Sequence, residues 1–201
     1  MNDVKTINAL IQTEADYEHL ELAVRSLLIE KRIFEEAAFW RRLDKVERTD
    51  HTIGAKLIVR AWKSREFREL LLRDPKAAAL EALNLELPAH PEVTVLENTE
   101  EVHHVIVCTL CSCYPKAVLG LPPAWYKSFA YRSRMVAEPR TVLSEFGTEI
   151  PESRELRVVD STADRRYLVL PLPPKDVDLI SEEEALARVT RDMMIGVRLC
   201  D

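Results

Sequence analysis

No apolar stretch in this 201-residue chain approaches the 18 or more residues of a membrane helix. Basic residues are not in excess: 28 Lys and Arg stand against 34 Asp and Glu, giving a net charge of -6. They are scattered rather than massed, so nothing recommends a nucleic-acid partner. The first twenty residues carry acids and no long apolar region, which argues against a secretory signal and makes the cytoplasm the expected location. There is no disulfide framework either. Of four cysteines, three fall within six residues and the fourth, Cys200, sits next to the end as an expected surface thiol. We find no internal repeat and no low-complexity tract. What remains is a chain of ordinary apolar content, 47%, long enough for one sizeable core or a core plus an appendage.

The first half reads as helical. Leu20, Ala23, Val24, Leu27 and Leu28 form one stripe at helical spacing and predict a helix over 14–34. A second helix is expected over 35–48 and a third over 52–74, stopping before Pro75. A fourth runs from Pro75 to Leu83, with proline in the first turn, where it is tolerated. From Glu92 the period changes. Val93–Leu96 and His104–Val107 read as strands, as do Leu156–Val159 and Tyr167–Leu170. Helices are expected from Pro122 through Tyr126, over 138–146 with Gly147 as the stop, and over 181–192 behind a Ser181/Glu184 capping box. A last strand is expected from Ile195 to Leu199. The fold class is α+β: a helical N-terminal region, residues 1–90, then a mixed α/β layered domain, residues 91–201. The N-terminal helices serve either as an arm on a partner subunit or as a plain packed bundle.

The second strand delivers Cys108 into a turn that reads Cys108-Thr109-Leu110-Cys111-Ser112-Cys113-Tyr114, a C-x-x-C-S-C spacing. The single-residue gap matters because Cys111-Ser112-Cys113 can grip a metal with backbone and side chains together. Once deprotonated, the amide nitrogens of Ser112 and Cys113 join the two thiolates as four in-plane donors. The chelate rings have six, five and five members, none strained. Cys108 reaches over the plane as a fifth donor, and a sixth position stays open for substrate. Structural zinc needs four side-chain ligands, and only three cysteines lie close together. His103 or His104 would have to be the fourth, yet both read as packing residues on the strand. Iron–sulfur clusters usually need four cysteines at other spacings. An N,S donor set favours a trivalent cobalt or iron ion. A non-catalytic zinc-binding interaction module and a metal-free redox cluster remain the alternatives.

The stretch from Val107 to Gly147 resembles the alpha subunit of nitrile hydratase and its relative, the metal-bearing subunit of thiocyanate hydrolase. The resemblance extends to Ala55–Trp62, Leu96–Thr99, Arg157–Ser161, Arg166–Pro171 and Val189–Val197, nearly the whole chain. It implies an α-β-β-α layered fold and a site in which Cys108 stays an unmodified thiolate. Cys111 would be oxidised to sulfinate and Cys113 to sulfenate. Ser112 and Cys113 would supply amidate nitrogens. Thr109 after the first cysteine resembles the cobalt type, implying low-spin, non-corrin cobalt(III), with iron(III) as the alternative. The implied reaction is hydration of a nitrile to an amide; the alternative is hydrolysis of thiocyanate. The implied partners are a beta subunit, which supplies arginines to the oxidised sulfurs, and a cobalt-insertion activator protein.

Asp164 and Arg166 match positions that support the metal loop from behind in this family. Tyr114 is either a hydrogen-bonding group near substrate or core. Trp125 and Tyr126 line a partner interface or are ordinarily buried. The basic cluster Lys127, Arg132 and Arg134 reads as a solvated or subunit-facing edge. The chain departs from the family after Tyr114-Pro115, where Lys116-Ala117 replaces the usual Trp-Pro. Losing that aromatic wall implies a roomier, more polar pocket for a bulky or polar nitrile. A lysine would equally attract the thiocyanate anion; the alternative is that it faces solvent. Residues 175–180 also replace a Gly-Trp-containing loop.

Overall fold

The computed structural model describes residues 14–200. Residues 1–13, on which the signal-peptide argument rests, and residue 201 lie outside the described residues. The chain divides into two compact units, Met1–Val46 and Glu47–Asp201. The sequence puts the boundary at residue 90; in the structure the helices of residues 52–83 belong with the strands.

The first unit holds α1 (Glu14–Glu30) and α2 (Glu36–Glu47). The Arg25 guanidinium lies 5.0 Å from the Phe39 ring and 4.8 Å from the Trp40 ring, tying the two helices together by cation–π contact. Leu20, Val24 and Leu27 of the apolar stripe are exposed, as are Tyr17 and Trp40.

In the second unit, the expected helix over 52–74 is two helices, α3 (Thr52–Lys63) and α4 (Arg65–Arg73). Ser64 breaks them: its backbone is extended, and its hydroxyl accepts the Phe67 amide at 3.2 Å, capping α4. Next comes α5 (Pro75–Leu83), ended by Asn84 in the left-handed conformation. The strands are β1 (Glu92–Glu97), β2 (Val102–Val107), β3 (Glu155–Asp160) and β4 (Arg165–Leu170). β3 and β4 are neighbours in sequence but do not pair with each other. β1 pairs in parallel with β4, and β2 in parallel with β3. Parallel pairs need crossovers. That of β2–β3 carries α6 (Lys116–Leu119), α7 (Ala124–Lys127), α8 (Phe129–Ala137) and α9 (Pro139–Glu145). α6 and α8 are not in the sequence expectation.

α4 and α5 pack on β1, β2 packs on β4, and α8 reaches β2 through Tyr131. This is the α+β layering expected. The core is built from Leu57, Ile58, Leu71, Ile106, Leu168 and Leu170, all buried. The chain closes with α10 (Glu182–Arg188), whose Ser181/Glu184 capping box is formed, and α11 (Arg191–Ile195). The expected last strand over Ile195–Leu199 is absent. Gly196 takes φ +92° and ends α11 instead, and a Cβ there would sit 2.0 Å from the His104 carbonyl oxygen.

The parallel register sets Val107 opposite Asp160, and the Ser161 amide donates to the Val107 carbonyl at 2.7 Å. The carboxyl ends of β2 and β3 therefore open side by side, the usual place for a site in parallel-strand folds.

Candidate metal centre

β2 is buried along its last three residues and ends in Cys108, which is 0% exposed. Thr109, Leu110 and Cys111 then swing into solvent, with Leu110 88% exposed, before Cys113 returns inside at 8%. The turn brings the Cys108 and Cys111 sulfurs to 3.6 Å and those of Cys111 and Cys113 to 3.4 Å. All three lie within 4.8 Å of one another. The Cys111 amide donates to the Cys108 sulfur at 3.3 Å.

Cys111 and Cys113 are shifted in opposite directions. Cys111 is held below the ordinary thiol range, chiefly by hydrogen bonding with Cys113, then by the Ser112 amide, the Cys108 thiol and the Cys113 amide. Cys113 is pushed up to about 12, first by burial and then by its bonds with Cys111 and Cys108, with Arg166 pulling the other way. Cys111 is the readily formed thiolate.

Around the loop, four side-chain polar atoms are buried with no hydrogen-bond partner among the described residues: Tyr114 Oη, Arg132 Nε, Ser161 Oγ and Arg166 Nη1. Folded proteins leave few such groups, and each marks a place where a further group completes the hydrogen bonding. Three soft sulfur donors beside two backbone nitrogens suit a transition metal. Among the described residues the cluster contains no fourth side-chain ligand, which does not suit a closed zinc site.

Of the residues singled out in the sequence, Cys108, Cys111, Ser112, Cys113 and Tyr114 form the loop itself. Tyr114 is buried at 3% exposure, and burial raises its phenol well above the usual range. Its ring meets Tyr126 edge-on at 5.2 Å. Arg166 is half-buried and acts on Cys113. Asp164 is exposed, and its carbonyl accepts the Glu92 amide at 2.7 Å. Lys116 is exposed at the start of α6. His103 and His104 stay out of the cluster. His103 is 1% exposed, with Nε2 2.8 Å from the Gly196 carbonyl and Nδ1 3.1 Å from Asn98 Nδ2.

Four contacts to the loop escaped the sequence reading, although Tyr126 and Arg132 are named in it. Asp160 accepts both the Thr109 amide at 3.0 Å and its hydroxyl at 2.5 Å. Arg132, read as part of a solvated edge, is half-buried and donates to the Thr109 carbonyl at 3.1 Å. Tyr126 is in the core, donating to the Cys113 carbonyl at 2.8 Å, and Tyr131 donates to that of Ile106 at 2.7 Å. The only sequence signal for Asp160 is its place at the end of a strand run; the others depend on tertiary contacts. Cys200 is half-buried rather than a surface thiol. It lines a separate hollow of about 450 Å³ with Asn98, His103, Arg154 and Arg188, which includes none of Cys108, Cys111 and Cys113.

A profile of the family described as nitrile hydratase, alpha chain, matches residues 15–198. The chain is 47% identical over 177 residues to the cobalt-containing nitrile hydratase subunit alpha of Pseudonocardia thermophila, covering 87% of this chain and 86% of that one. It is 38% identical over 205 residues to the thiocyanate hydrolase subunit gamma of Thiobacillus thioparus, covering 94% and 82%. An iron-type nitrile hydratase from Comamonas testosteroni Ni1, solved as a double mutant, shares the fold with a TM-score of 0.87 and 38% identity, over 94% of this chain and 92% of that one. Cobalt and iron types both occur among these relatives, and the first two are subunits by name. With the profile spanning all but the two ends and the cysteine loop lying inside it, the chain belongs to the nitrile hydratase alpha-chain family.

Proposed function

We propose that this chain is the metal-bearing subunit of an enzyme that hydrates a nitrile to an amide, at low-spin, non-corrin cobalt(III). The carrying observation is the loop geometry: three cysteine sulfurs within 4.8 Å of one another, on one turn that sets Ser112 between two of them. Cys108, Cys111 and Cys113 would hold the ion through sulfur, and Ser112 and Cys113 through backbone nitrogen. A trivalent ion bound there supplies Lewis acidity that draws electron density from the nitrile carbon, to which water adds. Cys111, exposed and with a lowered pKa, is the sulfur most open to oxidation, and we assign it the sulfinate; Cys113 takes the sulfenate. The unpartnered buried nitrogen of Arg166 donates to the Cys113 side, and Asp164 contributes by fixing the turn into β4.

A beta subunit completes the assembly. The exposed apolar residues Leu110 on the loop and Leu20, Val24 and Leu27 on α1 support such a partner. Its arginines pair with the oxygenated sulfurs, and an activator protein inserts cobalt. Among the described residues no helix is long and apolar enough to cross a membrane. We assign the chain to the cytoplasm, where the thiols of the loop stay reduced until the metal binds.

Lys116, three residues beyond Cys113, widens the pocket toward bulky or polar nitriles. The 38% identity to a thiocyanate hydrolase subunit favours the second reading, in which the same lysine draws in an anion. The test is co-purification with the beta subunit in cobalt-supplemented medium, followed by assays for amide and for carbonyl sulfide. Amide formation with cobalt in the protein supports nitrile hydration. Carbonyl sulfide alone replaces it with thiocyanate hydrolysis, and zinc without a sulfur-to-metal absorption band removes both.

A further inference from the structure

We propose that residues 124–137, spanning α7 and α8, form a backbone clamp that shapes the cysteine loop before any metal arrives, with Tyr126 as the residue that positions Cys113. Two carbonyls of the loop and one near the end of β2 each take one bond from this segment. Tyr131 holds Ile106 at the loop entrance, Arg132 holds Thr109 on the outward swing, and Tyr126 holds Cys113 where the chain returns.

Local sequence explains why the three donors face one way. Ser128 ends α7 by donating to the Trp125 carbonyl at 2.8 Å, and starts α8 by accepting the Tyr131 amide at 3.1 Å. This double cap fixes the joint between the helices. The rings are locked by edge-on packing: Trp125 on Tyr131 and on Phe146 at 4.8 Å, and Tyr114 on Tyr126 at 5.2 Å. The loop is therefore wedged between Asp160, which takes the amide and hydroxyl of Thr109, and the clamp, which takes its carbonyl. A site held ready in this way loses less conformational freedom on binding.

This inference rests on the metal reading only for its second readout. The first is amide hydrogen exchange by mass spectrometry on the peptide spanning 108–116 of the metal-free full-length chain. It compares wild type, Tyr126→Phe and Tyr131→Phe. Phenylalanine keeps the ring packing and removes only the hydroxyl. Exchange of the 108–116 peptide is expected to rise about 10-fold in Tyr126→Phe and to stay near wild type in Tyr131→Phe, whose loosening falls on β2. The second readout is cobalt(II) titration followed by thiolate-to-cobalt absorption, where Tyr126→Phe is expected to weaken binding on the order of 10-fold. Equal exchange in Tyr126→Phe and wild type overturns the clamp. So does rapid, unprotected exchange of the loop in the wild-type chain, a result that needs no variant to fold. Failure of the isolated wild-type chain to take up cobalt removes only the second readout, since insertion is assigned to an activator protein, and leaves the exchange result to decide the clamp.

Discussion

At the start of β2, His103 is buried with both ring nitrogens engaged, one at the Gly196 carbonyl and the other at Asn98, whose own carbonyl oxygen takes the His104 amide at 2.8 Å. At the other end of the same strand, three thiols crowd together and four neighbouring polar atoms are buried without partners among the described residues. Burial is similar at the two ends. What differs is whether the chain itself supplies the missing bonds. Where it does, a histidine and an amide are structural fittings. Where it does not, the unmet groups mark the side on which something from outside is received.

The contrast is tested most severely by Cys113→Ala. Removing this sulfur is expected to bring turnover down to that of the metal-free enzyme and to lower metal content, measured by assay and elemental analysis, while the melting temperature of the metal-free protein barely moves. Wild-type turnover would take Cys113 out of the site. Gly196→Ala is the matching change at the other end. The new methyl would meet the His104 carbonyl at a left-handed position, costing about 3 kcal/mol by denaturant unfolding. Metal content per folded molecule should be unchanged.

Asn98→Ala should cost about 2 kcal/mol, because it strands a buried imidazole nitrogen. Burial, aided by Arg154 and His104 and opposed by the Gly196 carbonyl, holds His103 below the ordinary histidine range. The unfolded chain thus takes up a proton at higher pH than the folded one. Stability is full above about pH 6.5 and falls as the pH drops from there toward the folded-state value. His103→Gln should flatten that acid limb without touching the cysteine loop. The smallest effect is expected of Lys116→Trp, which should shift the ratio of kcat/KM for a small over a large nitrile by about 10-fold. An unchanged ratio makes Lys116 a bystander.

The candidate metal loop is legible because its proposed donors are contiguous: they all fall within the six residues from Cys108 to Cys113, whatever the fold does. It hides the supports because they depend on pairing. Asp160 reaches Thr109 only because β3 runs parallel to β2 in one register, and nothing in Leu156–Val159 as a run announces that partner. Arg132 looks like a surface charge until α8 turns it toward a loop carbonyl. The misread strand at Ile195–Leu199 has the same origin. Apolar residues at Ile195, Val197 and Leu199 alternate, but Gly196 at positive φ turns the chain there so that the backbones of residues 104 and 196 lie almost in contact. The helix over 52–74 was legible in extent, and its break at Ser64 was written in the capping serine.

Cobalt K-edge X-ray absorption on the chain loaded together with its beta subunit bears most directly on the central claim, that the loop holds its ion through backbone nitrogen and cysteine sulfur together. The account predicts a mixed shell of two nitrogens and three sulfurs with a further light-atom ligand. A four-coordinate shell made only of side-chain donors would contradict it.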